Sequence, residues 1–169
     1  GQGTLLASRL LGRALLAKGF DVKISEVHGM SQRGGSVVTY VRYGENVASP
    51  IVEKGEADII LSFEELEAAR WLPFLKKGGK IVVNTQKMDP MPVIIGACEY
   101  PADCLERVSE ATKLISLPAT EIAEQCGTVK AANVSFCRAG TLLEDKKIPF
   151  DMIDEYSVAD ATVTADGLC

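Results

Sequence analysis

The densest set of chemical groups in this 169-residue chain lies in residues 26–35. Arg33 offers a rigid fork of donors suited to carboxylate or phosphate, and Gly34 and Gly35 allow close approach to the backbone. Glycines are conformationally costly and pack nothing, so this composition predicts a functional loop. A structural loop in which Glu26 pairs with Arg33 is the alternative. The other members of this signature segment are Val27, His28, Gly29, Met30, Ser31 and Gln32.

His28 is the single histidine of the chain. An imidazole can carry a proton near neutral pH, but no cysteine nucleophile or serine elbow stands near it in the sequence. We therefore predict a hydrogen-bonding loop residue, and we assign no catalytic residue to this chain.

Gly1, Gln2 and Gly3 stand directly before a predicted helix. Free amides and the dipole at a helix N-terminus favour an anion, so these residues could cradle a phosphate. A dinucleotide fingerprint needs a third glycine where this chain has Leu6, which favours a tight strand–helix turn instead. Because such a turn is normally fed by a strand, we expect a central strand before Gly1.

The composition limits the classes of function. The net charge of −5 and the pI near 5.0 argue against a broad surface for nucleic acid. No apolar run reaches the length of a membrane span. The five cysteines form no C-x-x-C pair, so we expect neither a disulfide framework nor a zinc or iron–sulfur site built by this chain alone. They indicate a reducing cytoplasm, with Cys98 and Cys104 as buried or half-buried thiols.

Helical and strand patterns alternate along the chain. This alternation predicts an α/β fold, a three-layer Rossmann-like domain around a mostly parallel central sheet. We expect strands over residues 21–27, 36–43, 57–62, 80–84 and 113–117 and helices over residues 4–18, 63–71, 118–125 and 128–143. A further helical turn over residues 72–76 would end at Gly78 and Gly79, and residues 91–95 would be extended between prolines.

Two polar groups beside these elements have structural interpretations. The acidic pattern predicts a solvated helix face for Glu64, Glu65 and Glu67. Asn84 and Thr85 follow a strand, at the edge where open sheets bind ligands, and a simple turn is the favoured alternative.

Four segments together resemble one enzyme family, the gamma-type subunits of 2-oxoacid:ferredoxin oxidoreductases. They are residues 1–11, 26–35, 57–64 and 78–85. Within that family, the Met-Ser-Gln-Arg form of the loop and the Asn-Thr-Gln-Lys phrase at residues 84–87 favour the branch that acts on indolepyruvate. The resemblance extends from Gly1 to about Asn133. Beyond it, Cys137, Arg138 and Ala139 interrupt the apolar run with which the family continues.

The resemblance implies that residues 1–169 form a single gamma-type domain of a larger enzyme. That enzyme oxidatively decarboxylates a 2-oxoacid with coenzyme A and passes the electrons to ferredoxin. Thiamine diphosphate, magnesium and iron–sulfur clusters would lie in partner subunits, and this chain alone would be inactive. Residues 32–35, with residues 1–3 beside them, would line the contact with coenzyme A. Glu26 and residues 28–31 would complete the loop at the subunit interface.

Two other functions remain open from the sequence. A stand-alone nucleotide-binding protein would rest on residues 1–3, and Leu6 counts against it. A pure scaffold subunit would use the signature segment only to hold subunits together. Without a partner the chain would expose an apolar docking face, so we expect a homodimer of the isolated subunit.

Overall fold

The computed structural model describes residues 4–26 and 36–125. The elements in these ranges are α1 (Thr4–Ala17), β1 (Asp21–Glu26), β2 (Thr39–Gly44), β3 (Ala57–Ser62), α2 (Glu65–Trp71), a 3₁₀ turn (Leu72–Phe74), β4 (Leu75–Asn84), α3 (Met91–Ile94), α4 (Cys104–Ala111), β5 (Lys113–Leu117) and α5 (Ala119–Gln125). The helix predicted over residues 128–143 lies outside the described residues.

The three strands β3, β4 and β5 form a parallel sheet in that order. Successive residues of β4 face opposite sides, as the strand period of two requires. Ile81 and Val83 pack against Ala68 of α2 and Val108 of α4. On the other face, Val82 packs against Ala119 at the start of α5. Helices therefore cover both faces of the sheet, and the predicted α/β fold is confirmed.

The first helix and a hairpin form a second packed unit. The antiparallel pair of β1 and β2 runs from Asp21↔Gly44 to Glu26↔Thr39 and is a separate two-stranded sheet. The chain reverses after α1 at Gly19, whose φ of 85° is in the left-handed region that glycine favours. Gly12 brings α1 close to β1, because a Cβ there would lie 2.8 Å from Ile24 Cδ1.

The bounds of several predicted elements need correction. β2 begins at Thr39 rather than residue 36, and β4 begins at Leu75 rather than residue 80. β1 is described as far as Glu26, and Val27, where the strand was expected to end, lies outside the described residues. Gly78 and Gly79 do not end a helix, because they lie inside β4, where its register with β3 shifts. A Cβ at Gly79 would lie 3.0 Å from Asp58 O, so the close approach of the two backbones requires glycine there.

Two helices were not predicted from the sequence. Residues 91–94 are helical rather than extended, because Pro90 and Pro92 occupy the helix start, where the fixed φ of proline is compatible with the first turn. The α4 helix replaces the loop expected around Cys104. Cys104 and Val108 lie one turn apart and are both buried, and the partly buried Leu105 packs against the same cluster as Val108.

Candidate functional site

Among the predicted site residues, Glu26 is the one that the structure describes. It is the last residue of β1 and pairs with Thr39 of β2. Gly1, Gln2, Gly3, His28, Gly29, Met30, Ser31, Gln32, Arg33, Gly34 and Gly35 lie outside the described residues. The described residues that flank these two segments are Thr4, Glu26 and Ser36.

The start of α1 and the end of β1 lie at the same end of this unit. The helix and strand are joined by a short reversal and pack along each other, and their lengths match: about 21 Å for 14 helical residues and about 20 Å for six strand residues. Phe63, directly after β3, packs into the same cluster as Ala7 of α1. The carboxyl end of β3 therefore also lies against α1.

The residue that follows the signature segment, Ser36, is fixed to α2. Its Oγ donates to Glu67 Oε2, in a contact across 31 positions of sequence. The indole N–H of Trp71 donates to both acceptors, at 3.1 Å to Ser36 Oγ and 3.0 Å to Glu67 Oε2. We call these three side chains, Ser36, Glu67 and Trp71, the Ser36 clasp.

The surroundings of the Ser36 clasp hold it in place. Arg70 Nη1 donates to the other oxygen of Glu67, Oε1, at 2.5 Å. The Trp71 ring meets the ring of Tyr40 edge-on at 6.4 Å and tilts against Phe74 at 4.7 Å. Both oxygens of the Glu67 carboxylate therefore accept hydrogen bonds, and two aromatic rings restrain the Trp71 indole.

Sequence reasoning did not single out the Ser36 clasp. Glu67 was expected on a solvated helix face, and Trp71 received no role. Two signals were available: Trp71 is the only tryptophan of the chain, and it stands four residues after Glu67, the spacing that places two side chains on one helix face.

Glu64 and Glu65 are buried, at 5% and 6% exposure, so the predicted solvated face is wrong for them. Glu64 caps α2: its carboxylate accepts from the backbone N–H of Leu66 at 3.0 Å and of Glu67 at 2.6 Å. A helix start leaves such amides without intrahelical partners, and this explains the inward orientation. Burial raises the pKa of the Glu64 carboxyl despite these two bonds, which act in the opposite direction.

Asn84 fastens the carboxyl end of β4 and is itself 3% exposed. Its amide nitrogen donates to Thr120 Oγ1 at 2.9 Å and to Phe63 O at 3.3 Å, and its oxygen accepts from Thr120 N at 3.4 Å. Thr120 in turn donates to Gln86 Oε1 at 3.2 Å. These bonds join β4 to α5 and to the end of β3, so the favoured interpretation of Asn84 as a structural turn residue fits the geometry.

The two described cysteines differ in their surroundings. Cys104 is buried, and burial followed by the charge of Asp103 raises the pKa of its thiol. The Sγ donates to Pro101 O at 3.4 Å. A protonated, buried thiol of this kind is a poor nucleophile. Cys98 is exposed, so the expectation of burial is wrong for that residue.

The described residues offer neither a metal-binding cluster nor a helix that could span a membrane. Residues 4–26 and 36–125 contain no group of three or more His, Cys, Asp or Glu side chains placed to hold a metal ion. Within the same ranges, every helix is too short or too polar to cross a membrane.

The sequence is similar to a family of oxidoreductases. Residues 1–144 match the family model described as pyruvate ferredoxin/flavodoxin oxidoreductase. The chain is 44% identical over 138 residues to indolepyruvate oxidoreductase subunit IorB of Thermococcus kodakarensis. That match covers 79% of this chain and 68% of the relative.

Two solved structures resemble the fold. One is the gamma subunit of a keto/oxoacid ferredoxin oxidoreductase from Geobacter sulfurreducens, with a TM-score of 0.62, 17% identity, and 94% and 79% of the two chains covered. The other is pyruvate oxidoreductase subunit PORC from Thermotoga maritima, with a TM-score of 0.63, 23% identity, and 92% and 77% covered. At these identities the likeness establishes the fold.

Proposed function

The chain belongs to the pyruvate ferredoxin/flavodoxin oxidoreductase family, and from this premise we propose that it is the gamma-type subunit of a 2-oxoacid:ferredoxin oxidoreductase. The observation that carries the proposal is the 44% identity to subunit IorB of an indolepyruvate oxidoreductase. The reaction is the oxidative decarboxylation of a 2-oxoacid such as indolepyruvate to an acyl-coenzyme A, with electron transfer to ferredoxin.

In this proposal the chain is the subunit without thiamine and without clusters. Thiamine diphosphate, magnesium and the iron–sulfur clusters are bound by larger partner subunits. Ferredoxin binds the complex at those partner subunits, and coenzyme A is the co-substrate. The chain has no activity by itself, and its compartment is the reducing cytoplasm, which suits its scattered cysteines.

The contact with coenzyme A is assigned to Gln32, Arg33, Gly34 and Gly35, with residues 1–3 beside them. The described flanks support this assignment. Residues 1–3 precede Thr4 at the start of α1, and the signature segment follows Glu26 at the end of β1, at the same end of that unit. Coenzyme A carries phosphates, for which the arginine fork and the amides of a helix start are suitable donors.

A row of exposed apolar side chains supports the role of a subunit. Met88, Met91, Ile94 and Ile95 are 47%, 52%, 66% and 69% exposed, within a stretch of eight residues. Apolar surface concentrated in this way is typical of interaction sites. The proposal assigns it to the thiamine-bearing partner, and pairing of two copies is expected when the subunit is isolated.

The first test is reconstitution. The full-length chain is co-purified with its candidate large partner, and reduction of ferredoxin or a viologen dye is measured with indolepyruvate and coenzyme A. The proposal requires that the two chains associate and that activity needs both. Full activity of the large chain alone, or failure of the chains to associate, would contradict it.

Arg33 provides the second test, within the reconstituted complex. Arg33→Ala should raise the KM for coenzyme A, because a charge-assisted donor to phosphate is lost. Arg107→Ala, at an exposed position of α4, is the matched control. If Arg33→Ala leaves both coenzyme A dependence and assembly unchanged, the assignment of the contact is wrong. Loss of assembly with unchanged kinetics per complex would favour the pure scaffold.

A further inference from the structure

The exposed side chains of Met88, Met91, Ile94 and Ile95, here called the apolar row, lie on a segment with little structure of its own. Its one regular element, α3, is a single helical turn of four residues, none of them buried. The backbone amides of residues 93–98 donate to carbonyls of residues 90–93, so these hydrogen bonds shape the turn without attaching it to the core. A single helical turn is unfavourable by itself, because it orders several residues for few hydrogen bonds. The orientation of the apolar row therefore depends on how the two ends of the segment are held.

Both ends of the segment are attached to the parallel sheet and its helices. On the amino side, Gln86 O accepts from the backbone N–H of Glu65, at the start of α2, at 3.1 Å. Gln86 Oε1 also accepts from Thr120 Oγ1 of α5 at 3.2 Å. On the carboxyl side, Cys104 is buried at the start of α4, and its Sγ donates to Pro101 O at 3.4 Å. The apolar row is carried between these two fixed points.

One ammonium group joins the two ends of this segment to each other. Lys87 Nζ lies 3.7 Å from Glu65 Oε2 and 5.9 Å from the centroid of the Tyr100 ring. The first contact is an ion pair with a buried carboxylate, which salt screens less than a fully exposed pair, and the second is within the range of cation–π attraction. Lys87 directly precedes the apolar row in the sequence, and Tyr100 follows it. We call these three side chains, Glu65, Lys87 and Tyr100, the Lys87 bridge.

The size of the apolar row indicates which partner it fits. Four methionine and isoleucine side chains, exposed at 47–69%, present on the order of 400 Å² of apolar surface. A specific interface takes about 800 Å² from each partner, so two rows facing each other would bury too little surface for a stable dimer. The apolar row fits one part of a broader contact with a larger chain.

We propose that the residues of the Lys87 bridge are positioning residues for subunit docking, which hold the apolar row in the orientation that the thiamine-bearing partner binds. The proposal rests on the proposed function, which assigns the row to that partner. A row that is already oriented in the free subunit loses less conformational entropy on binding than one that must be ordered at the interface.

Hydrogen exchange of the full chain tests the restraint without any partner. Lys87→Met removes the charge and keeps an apolar side chain. Lys76→Met is the matched control, because Lys76 is also an exposed lysine in an ion pair, with Asp58, at the opposite end of β4. In Lys87→Met, the amides of residues 93–98 should exchange about three- to tenfold faster, whereas those of residues 81–83 should keep their rates. Unchanged rates at residues 93–98, or equal acceleration throughout the chain, overturn the proposal.

Titration of the purified large partner tests the effect on docking. Lys87→Met should weaken the affinity about three- to tenfold, through loss of the ion pair and the cation–π contact, and Lys87→Arg should restore it to within about twofold. Tyr100→Leu, which removes the ring face, should weaken binding about two- to fivefold, and Tyr100→Phe, which keeps that face, by less than about twofold. Unchanged affinity in Lys87→Met, or equal losses in the two Tyr100 variants, contradicts the role of the bridge.

Variants of the apolar row distinguish this inference from the proposed function. If replacement of Ile94 and Ile95 by glutamate weakens docking while Lys87→Met does not, the positioning role fails and the assigned interface stands. If neither change affects docking, or if the two chains do not associate at all, the assigned interface and the positioning role both fail. In a double-mutant cycle, Lys87→Met should have less effect in an Ile95→Ala background than alone. Fully additive effects overturn the positioning role alone.

Discussion

Two opposite effects act on the pKa of the Glu64 carboxyl. Its carboxylate is almost fully buried, which disfavours the charged form, yet it accepts two backbone hydrogen bonds that favour that form. Burial is the larger of the two effects, so the pKa is raised. The same residue therefore stabilises α2 as a cap and disfavours its own ionisation.

The cap can be removed by Glu64→Ala. We expect the free energy of unfolding to fall by about 1 kcal/mol or somewhat more, because two amides of the first turn lose their acceptor. Chemical denaturation of the full chain measures it. Glu106→Ala is the control, since Glu106 lies in the first turn of α4 without serving as its cap. Equal losses for the two variants would contradict a specific capping role.

The raised pKa of Glu64 has a definite consequence for the pH dependence of stability. Since the folded state holds this proton more tightly than the unfolded state, in which the pKa is near 4.5, stability should decrease as pH rises from about 4.5 through the folded pKa. Glu64→Gln lacks the titration. The difference in unfolding free energy, wild type minus Glu64→Gln, should therefore fall with rising pH in this acidic range. A difference that rises instead would show that the cap bonds outweigh burial.

At the scale of elements, β3 and β5 were the most predictable part. Their short apolar runs have the composition of buried parallel strands, and both have the predicted bounds, whereas β4 begins at Leu75, five residues before the strand predicted there. The helix α5 was expected from the proline before it. Local pattern determines these elements, because buried parallel strands contain short apolar runs and proline is favoured at a helix start.

The elements that sequence reasoning missed depend on tertiary contacts. The α4 helix has only eight residues, a length at which an apolar pattern does not distinguish a helix from a loop, and its Leu105 and Val108 pack against a cluster that includes Ala68 of α2 and Ile81 of β4. The glycines of β4 resemble a helix stop, and only the approach of Asp58 O explains Gly79. Such features depend on contacts with residues that are distant in the sequence rather than on neighbouring residues.

The sheet core predicts a contrast between two isoleucines. Ile81 of β4 is fully buried and Ile95 is 69% exposed. Ile81→Ala should lower the free energy of unfolding by about 2–5 kcal/mol, through lost burial and a residual cavity, and Ile95→Ala by less than about 0.5 kcal/mol. Denaturant titrations of both variants of the full chain provide the measurement. A small effect at Ile81 would contradict its place in the core.

At the scale of the whole molecule, the candidate site was identified by composition and by resemblance rather than by geometry. The signature segment could be selected from its glycines and Arg33, whereas the side chains that bond to Ser36, the residue after it, could not. Ser36 and Glu67 are separated by 31 positions, and no local pattern couples them. Hydrophobic periodicity indicates which face of a helix or strand is buried, but it does not indicate which faces pack against each other.

The assembled enzyme should depend on the exposed apolar row at residues 88–95. If the large partner docks on this row as proposed, replacing Ile94 and Ile95 together by glutamate should weaken the association at least tenfold, because two charges would have to be desolvated at the interface. Leu16→Glu, at 57% exposure on α1, is the control. Binding can be measured by titration of the purified partner. Unchanged affinity would exclude this row from the interface.

The single tryptophan of the chain, Trp71, can serve as a spectroscopic probe of its surroundings. Because its indole N–H bonds to Ser36 and Glu67, its ring should report electronic and structural changes in residues next to Gly34 and Gly35. Fluorotryptophan incorporated into this chain alone, before mixing with an unlabelled partner, would give one ¹⁹F resonance. That signal would follow ligand binding inside a large complex without interference from any other aromatic residue.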